Sequence, residues 1–107
     1  MNAPFEIREY SEGSRSPFRE WFDALDAVTA ARVDRYVRRL EAGNFGAAKF
    51  LMDGVFEVKM DFGPGYRVYY AREGRRIILL LGGGSKRRQN ADIAAAVGRW
   101  KKYKTGQ

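Results

Sequence analysis

Along the second half of the chain, hydrophobic and polar positions alternate with a period of two. Phe56, Val58 and Met60 fall on one side, and Glu57, Lys59 and Asp61 on the other, the signature of a strand with two unlike faces. Gly63-Pro64-Gly65 follows as a turn. Tyr66, Val68 and Tyr70 then alternate with Arg67, Tyr69 and Ala71, and Glu73-Gly74 makes a second turn. Ile77 to Leu81 is unbroken apolar sequence, as expected of a central strand covered on both faces. Gly82-Gly83-Gly84 ends it and predicts a bare, mobile backbone.

The first half has a different rhythm. Phe5 to Tyr10 alternates and predicts an opening strand. Ser16-Pro17 has the form of a helix cap followed by proline at the first helical position. Phe18, Trp21, Phe22 and Leu25 then trace one apolar helical face. Asp26 caps a second helix with the stripe Val33, Tyr36, Val37 and Leu40, and Gly43 stops it. Asn44 to Asp53 is a connector. A last helix runs from about Ala91 to Tyr103, capped by Asn90, with Ile93, Val97 and Trp100 as its buried stripe. The predicted order is β-α-α-β-β-β-α in one α+β domain over 1–107. Its antiparallel meander sheet has the helices packed on one face.

Composition narrows the chemistry. The chain has no cysteine and no histidine. Disulfides and thiolate catalysis are thereby excluded, and the usual neutral-pH proton shuttle and commonest metal ligand are missing. No metal and no cofactor are expected. No apolar run approaches the roughly 20 residues of a membrane span, and MNAPFEIREYSEG lacks a signal pattern, so a cytoplasmic protein without membrane contact is expected. Net charge is +7, unevenly spread. Residues 1–65 hold 9 Lys and Arg against 11 Asp and Glu; residues 66–107 hold 11 against 2. Such asymmetry points to a polyanion or an acidic protein partner.

DGVFEVKMDFGPGYRVYYAREG (Asp53 to Gly74), LLLGGGSKRRQNADI (Leu79 to Ile93), Phe18-Arg19-Glu20-Trp21 and the closing helix with Trp100 together resemble the RelE/ParE superfamily of type II toxins. Within it the chain looks most like the HigB-like branch, often labelled addiction module killer proteins. The resemblance implies the toxin of a toxin–antitoxin pair, a metal-independent endoribonuclease that cuts mRNA on the ribosome and inhibits translation. It implies a HigA-like antitoxin partner with a helix-turn-helix domain. The ParE side of the superfamily poisons DNA gyrase without catalysis, and fold alone does not choose between them. A third reading is an RNA- or antitoxin-binding module that has lost activity.

RNA supplies its own nucleophile, the 2′-OH. A metal-free nuclease has to help remove that proton, steady the phosphate and protonate the leaving oxygen. Arg67 matches the arginine of the family's Gly-Tyr-Arg pattern, which implies phosphate gripping; the plain alternative is an exposed arginine on a half-covered sheet. Lys59 shares its face across the turn, for substrate binding or proton transfer, or as an ordinary surface lysine. Lys86 matches the lysine of the strand-end motif, as general acid or phosphate holder. Arg87 and Arg88 are expected to track the flanking RNA backbone or rRNA, and Gln89 to hydrogen-bond a base edge or phosphate; the plain alternative for Lys86, Arg87 and Arg88 is a solvated loop. Glu57 stands where some relatives carry lysine, and is expected at the RNA as a base or a partner of its cationic neighbours. Tyr69, with Tyr66 and Tyr70, is a base-stacking candidate or sheet packing. Asp92-Ile93 stands where some relatives place a catalytic aromatic. Arg32, Asp34, Arg35, Arg38 and Arg39 give the second helix a polar face, for antitoxin docking or for solvent.

Overall fold

The computed structural model describes residues 3–106. Strand β1 is Glu6–Glu9, helix α1 Pro17–Asp23 and helix α2 Ala27–Glu41. Strands β2 (Ala48–Met52), β3 (Val55–Lys59), β4 (Arg67–Glu73) and β5 (Ile77–Gly84) follow, then a 3₁₀ turn at Lys86–Arg88 and helix α3 (Gln89–Lys104). The caps form as the sequence predicts. Ser16 accepts from the Arg19 amide at 3.0 Å with Pro17 in the first turn, and Asp26 accepts from the Thr29 amide at 2.9 Å. Gly43, at φ +86°, closes α2: its amide donates to Leu40 O and that of Asn44 to Arg39 O, a Schellman ending.

The sheet order is β1-β5-β4-β3-β2. β2 to β5 form an antiparallel meander, and β1 joins β5 in parallel. The α+β class and the meander are as expected, with two corrections. The supposed connector contains strand β2, joined to β3 by Asp53-Gly54. Both turn residues have positive φ, 51° and 85°, as a two-residue hairpin turn requires. The helices also cover both faces of the sheet rather than one. On one face Phe18, Val33, Val37 and Leu40 meet Val58, Val68, Tyr70, Ile78 and Leu80. On the other, Ala96 and Trp100 of α3 meet Val55, Tyr69, Ala71, Leu79 and Leu81. β4 and β5 are apolar at both alternating sets of positions, so each set needs its own cover.

Gly82, Gly83 and Gly84 are not a bare end but part of β5, opposite Tyr69, Val68 and Arg67. A Cβ on Gly82 would lie 2.7 Å from the Arg99 guanidinium. On Gly83 it would run into the Trp21 ring, and on Gly84 into the Asp92 carboxylate. The glycines let α1 and α3 lay side chains flat on the strand from opposite faces. Gly83→Ala is therefore expected to destabilise the protein by about 1–3 kcal/mol through overpacking. Urea unfolding measures this, and an unchanged midpoint would show that Trp21 moves aside freely.

Candidate active site

Cross-strand register assembles the cationic residues. Lys59 lies opposite Arg67, which lies opposite Gly84; one rung along, Lys49, Glu57, Tyr69 and Gly82 align. Directly opposed residues share a face, so both rungs lie on the α3 side. The predicted Lys59–Arg67 neighbourhood is present.

Arg67 is not an exposed arginine. It and Glu57 are 5% and 4% exposed. Arg67 Nη1 donates to Gly65 O at 2.7 Å, and Nε lies 3.4 Å from Glu57 Oε2. Gln89 Nε2 donates to that same carboxylate oxygen at 2.9 Å. Burying either charge alone would be costly, and each offsets the other. Glu57 is thus a holder of Arg67 and of the first turn of α3, with its side chain away from solvent.

The turn ahead of Arg67 brings in Lys86. Its amide donates to Pro64 O at 3.3 Å. A Cβ on Gly65, which has φ +73°, would lie 3.1 Å from Arg67 Nη1 and 3.3 Å from Lys86 Cβ. A side chain here would press on both neighbours and hold a left-handed backbone, so glycine eases the convergence of the turn, the guanidinium and Lys86. Lys59, Lys86, Arg87 and Arg88 are exposed around this point. The last three form the 3₁₀ turn that runs straight into α3, so the expected loop and the Asn90 cap are absent. Residues 86–91 line a shallow hollow of about 360 Å³.

Tyr69 is completely buried and cannot stack on a base in this conformation. Burial foremost, and then the Glu57 and Asp92 charges, push its hydroxyl pKa up. Tyr70 is buried too, its pKa raised to about 12 by burial. Gln89 spends its amide on Glu57. Two residues that carry no assigned role in the sequence reading join the site. Asp92 covers Gly84 with Oδ2 buried and unpaired, and Lys49 aligns with Glu57. The Asp53-Gly54 turn signals the hairpin that brings in Lys49; the Asp92 contact has no sequence signal.

The class that fold and site define is a RelE-like α+β domain with a buried Arg–Glu pair under a basic rim. The E. coli toxin RelE, as an arginine-to-alanine double mutant in the free state, superposes with TM-score 0.62 at 18% identity, over 92% of this chain and 98% of that one. This likeness is one of fold. The description "Phage derived protein Gp49-like" belongs to the family that matches residues 20–101, and the chain is a member of that family. A Haemophilus influenzae protein described as uncharacterized is 40% identical over 80 residues, 74% of this chain and 81% of its own.

Glu57→Ala strips Arg67 of its buried partner and is expected to cost about 3–5 kcal/mol, against about 1 kcal/mol for Gln89→Ala. Denaturant titration of both variants checks this, and equal small losses would mean the pair is solvated. Burial pushes the Asp92 carboxyl up, against the opposing pull of Arg88 and Arg99. A raised folded-state pKa contributes stability that is complete below the unfolded value and lost as pH rises through the folded one. Wild type should therefore lose stability relative to Asp92→Asn as pH rises from below to well above the ordinary aspartate value of about 4. A gap that stays constant across that range would refute the burial effect.

Proposed function

We propose that this chain is the toxin of a toxin–antitoxin pair, of HigB-like type, and that it cuts mRNA on the ribosome without a metal. The observation that carries the reading is the convergence of exposed Lys59 and Lys86 over buried Arg67, on a RelE-like fold. Lys59 and Lys86 hold the scissile phosphate and move protons to and from the 2′-OH and the leaving oxygen. Arg67, held in place by Glu57 and Gly65, supplies fixed positive charge beneath the phosphate as negative charge builds there. Arg87 and Arg88 follow the flanking RNA or rRNA backbone. The described residues offer no group of three or more side chains able to hold a metal ion, and the proposal gives the work to cations. The place of action in this reading is the ribosome in the cytoplasm. The antitoxin is the implied protein partner.

The test is primer-extension mapping of mRNA ends after brief induction. New ends inside translated codons are expected for the wild type. They should fall by about a hundredfold or more in Lys59→Ala and in Lys86→Ala, with circular dichroism unchanged. These exposed residues carry the test because Arg67→Ala leaves Glu57 buried and unpaired. Growth arrest without new ends would overturn the nuclease and leave the ParE-like action on gyrase. Ends that persist in both variants would remove the lysines from the chemistry.

A further inference from the structure

The sheet has two edges, and they are built differently. β1 is four residues long and carries the Glu6–Arg8 ion pair and Glu9, charges that discourage pairing with another strand. β2 carries Phe50 and Met52, 57% and 51% exposed, along an edge whose outer backbone groups have, among the described residues, no strand beside them. Phe50 also ends an aromatic row that crosses the sheet. Its ring lies 5.4 Å from Phe56, which stacks on Tyr70 at 5.2 Å, and Tyr70 lies 6.4 Å from Phe45. Beside this row, Tyr36, Arg39 and Leu40 of α2 face Ala48 and Val58 across a groove of about 260 Å³. The Arg39 guanidinium lies 4.6 Å from the Tyr36 ring centre at its wall. An open outer strand edge, two large exposed apolar side chains, one on each face, and a groove with a cation at its wall thus occupy one side of the sheet.

We propose that β2 is a docking edge for an extended acidic segment of a partner protein. The segment adds as a sixth strand, sets one apolar side chain against Phe50 on the α2 side and another against Met52 on the α3 side, and directs a carboxylate to Arg39 on the first face and to Lys49 on the second. Backbone pairing supplies the attachment, and alternate side chains supply the selection. Charge decides the occupant. Lys49 on β2, Lys59 on β3 and Arg39 beside the groove are all exposed, so the same edge of a second copy sets cation against cation where an acidic strand is attracted. RNA would meet the same cations but has no use for the strand's amide and carbonyl row.

The probe is the protein encoded by the reading frame beside this one, a choice that rests on the toxin–antitoxin reading. Hydrogen exchange on the full chain, with and without that protein, is combined with calorimetric binding to wild type, Phe50→Ala and Lys49→Glu. Expected are new protection of the amides of residues 48–52 and binding weakened about tenfold or more in each variant. A complex that leaves those amides exchanging, with both variants binding as wild type, overturns the docking edge and leaves the toxin–antitoxin reading intact. No complex at saturating concentration overturns that reading, and the docking edge with it. Protection that appears with rising concentration of the chain alone, or with an RNA oligonucleotide alone, overturns the acidic protein partner in favour of self-association or RNA.

Discussion

The interior strand β5 is the member on which everything else bears. It pairs with β4 along its length and with β1 over Ile77–Leu80, so that first half has strands on both sides to satisfy its backbone groups. Leu79 and Leu81 face α3 while Ile78 and Leu80 face the α1 and α2 layer. Its last three residues then dispense with side chains altogether. Trp21 closes on Gly83 from one face, and Asp92 and Arg99 close on Gly84 and Gly82 from the other. Arg99 Nη1 also donates to Leu81 O at 2.8 Å. The two helical layers are thereby pinned at one end of one strand, the end from which the 3₁₀ turn and Lys86 depart.

That position explains how a basic site forms without flying apart. Arg67 lies opposite Gly84, where no side chain competes for space, and Asp92 rests on that glycine from the first turn of α3. Glu57 balances Arg67 from the next strand, and Gln89 ties that carboxylate to α3. The buried charges cancel, and the uncompensated cations sit at the surface, where water solvates them until a polyanion arrives. The RelE-like fold is shared with a toxin at 18% identity, while the Glu57–Gln89 tie is a property of these residues.

The opposite edge of the sheet has another character. The bulge in β2 between Phe50 and Met52 changes which face each side chain takes. Counting back from the Asp53-Gly54 turn without it would set Lys49 opposite Val58 and drive a lysine into the α1 and α2 core. With it, Ala48 takes that position and Lys49 joins Glu57 on the other face. One extra residue thus separates a viable core from a buried charge.

The helices, their caps at Ser16, Asp26 and Gly43, and the β3–β4–β5 meander were all legible from local order, because capping and alternation depend only on near neighbours in the chain. The pairing of Lys59 with Arg67 was legible in the same way, while Lys86 was set beside them only by the resemblance to known toxins, which also supplied the roles. Strand β2 was also within reach, through Asp53-Gly54. Tertiary structure alone decided the rest. Alternation sets Glu57 and Arg67 on one face but does not say that α3 will cover it, and that cover turns an exposed polar pair into a buried one and removes Tyr69 from solvent. Nor does Gly82-Gly83-Gly84 announce whether its missing side chains make room for a ligand or for Trp21, Asp92 and Arg99. Burial and close approach are properties of what packs from elsewhere in the chain, and local sequence order does not carry them.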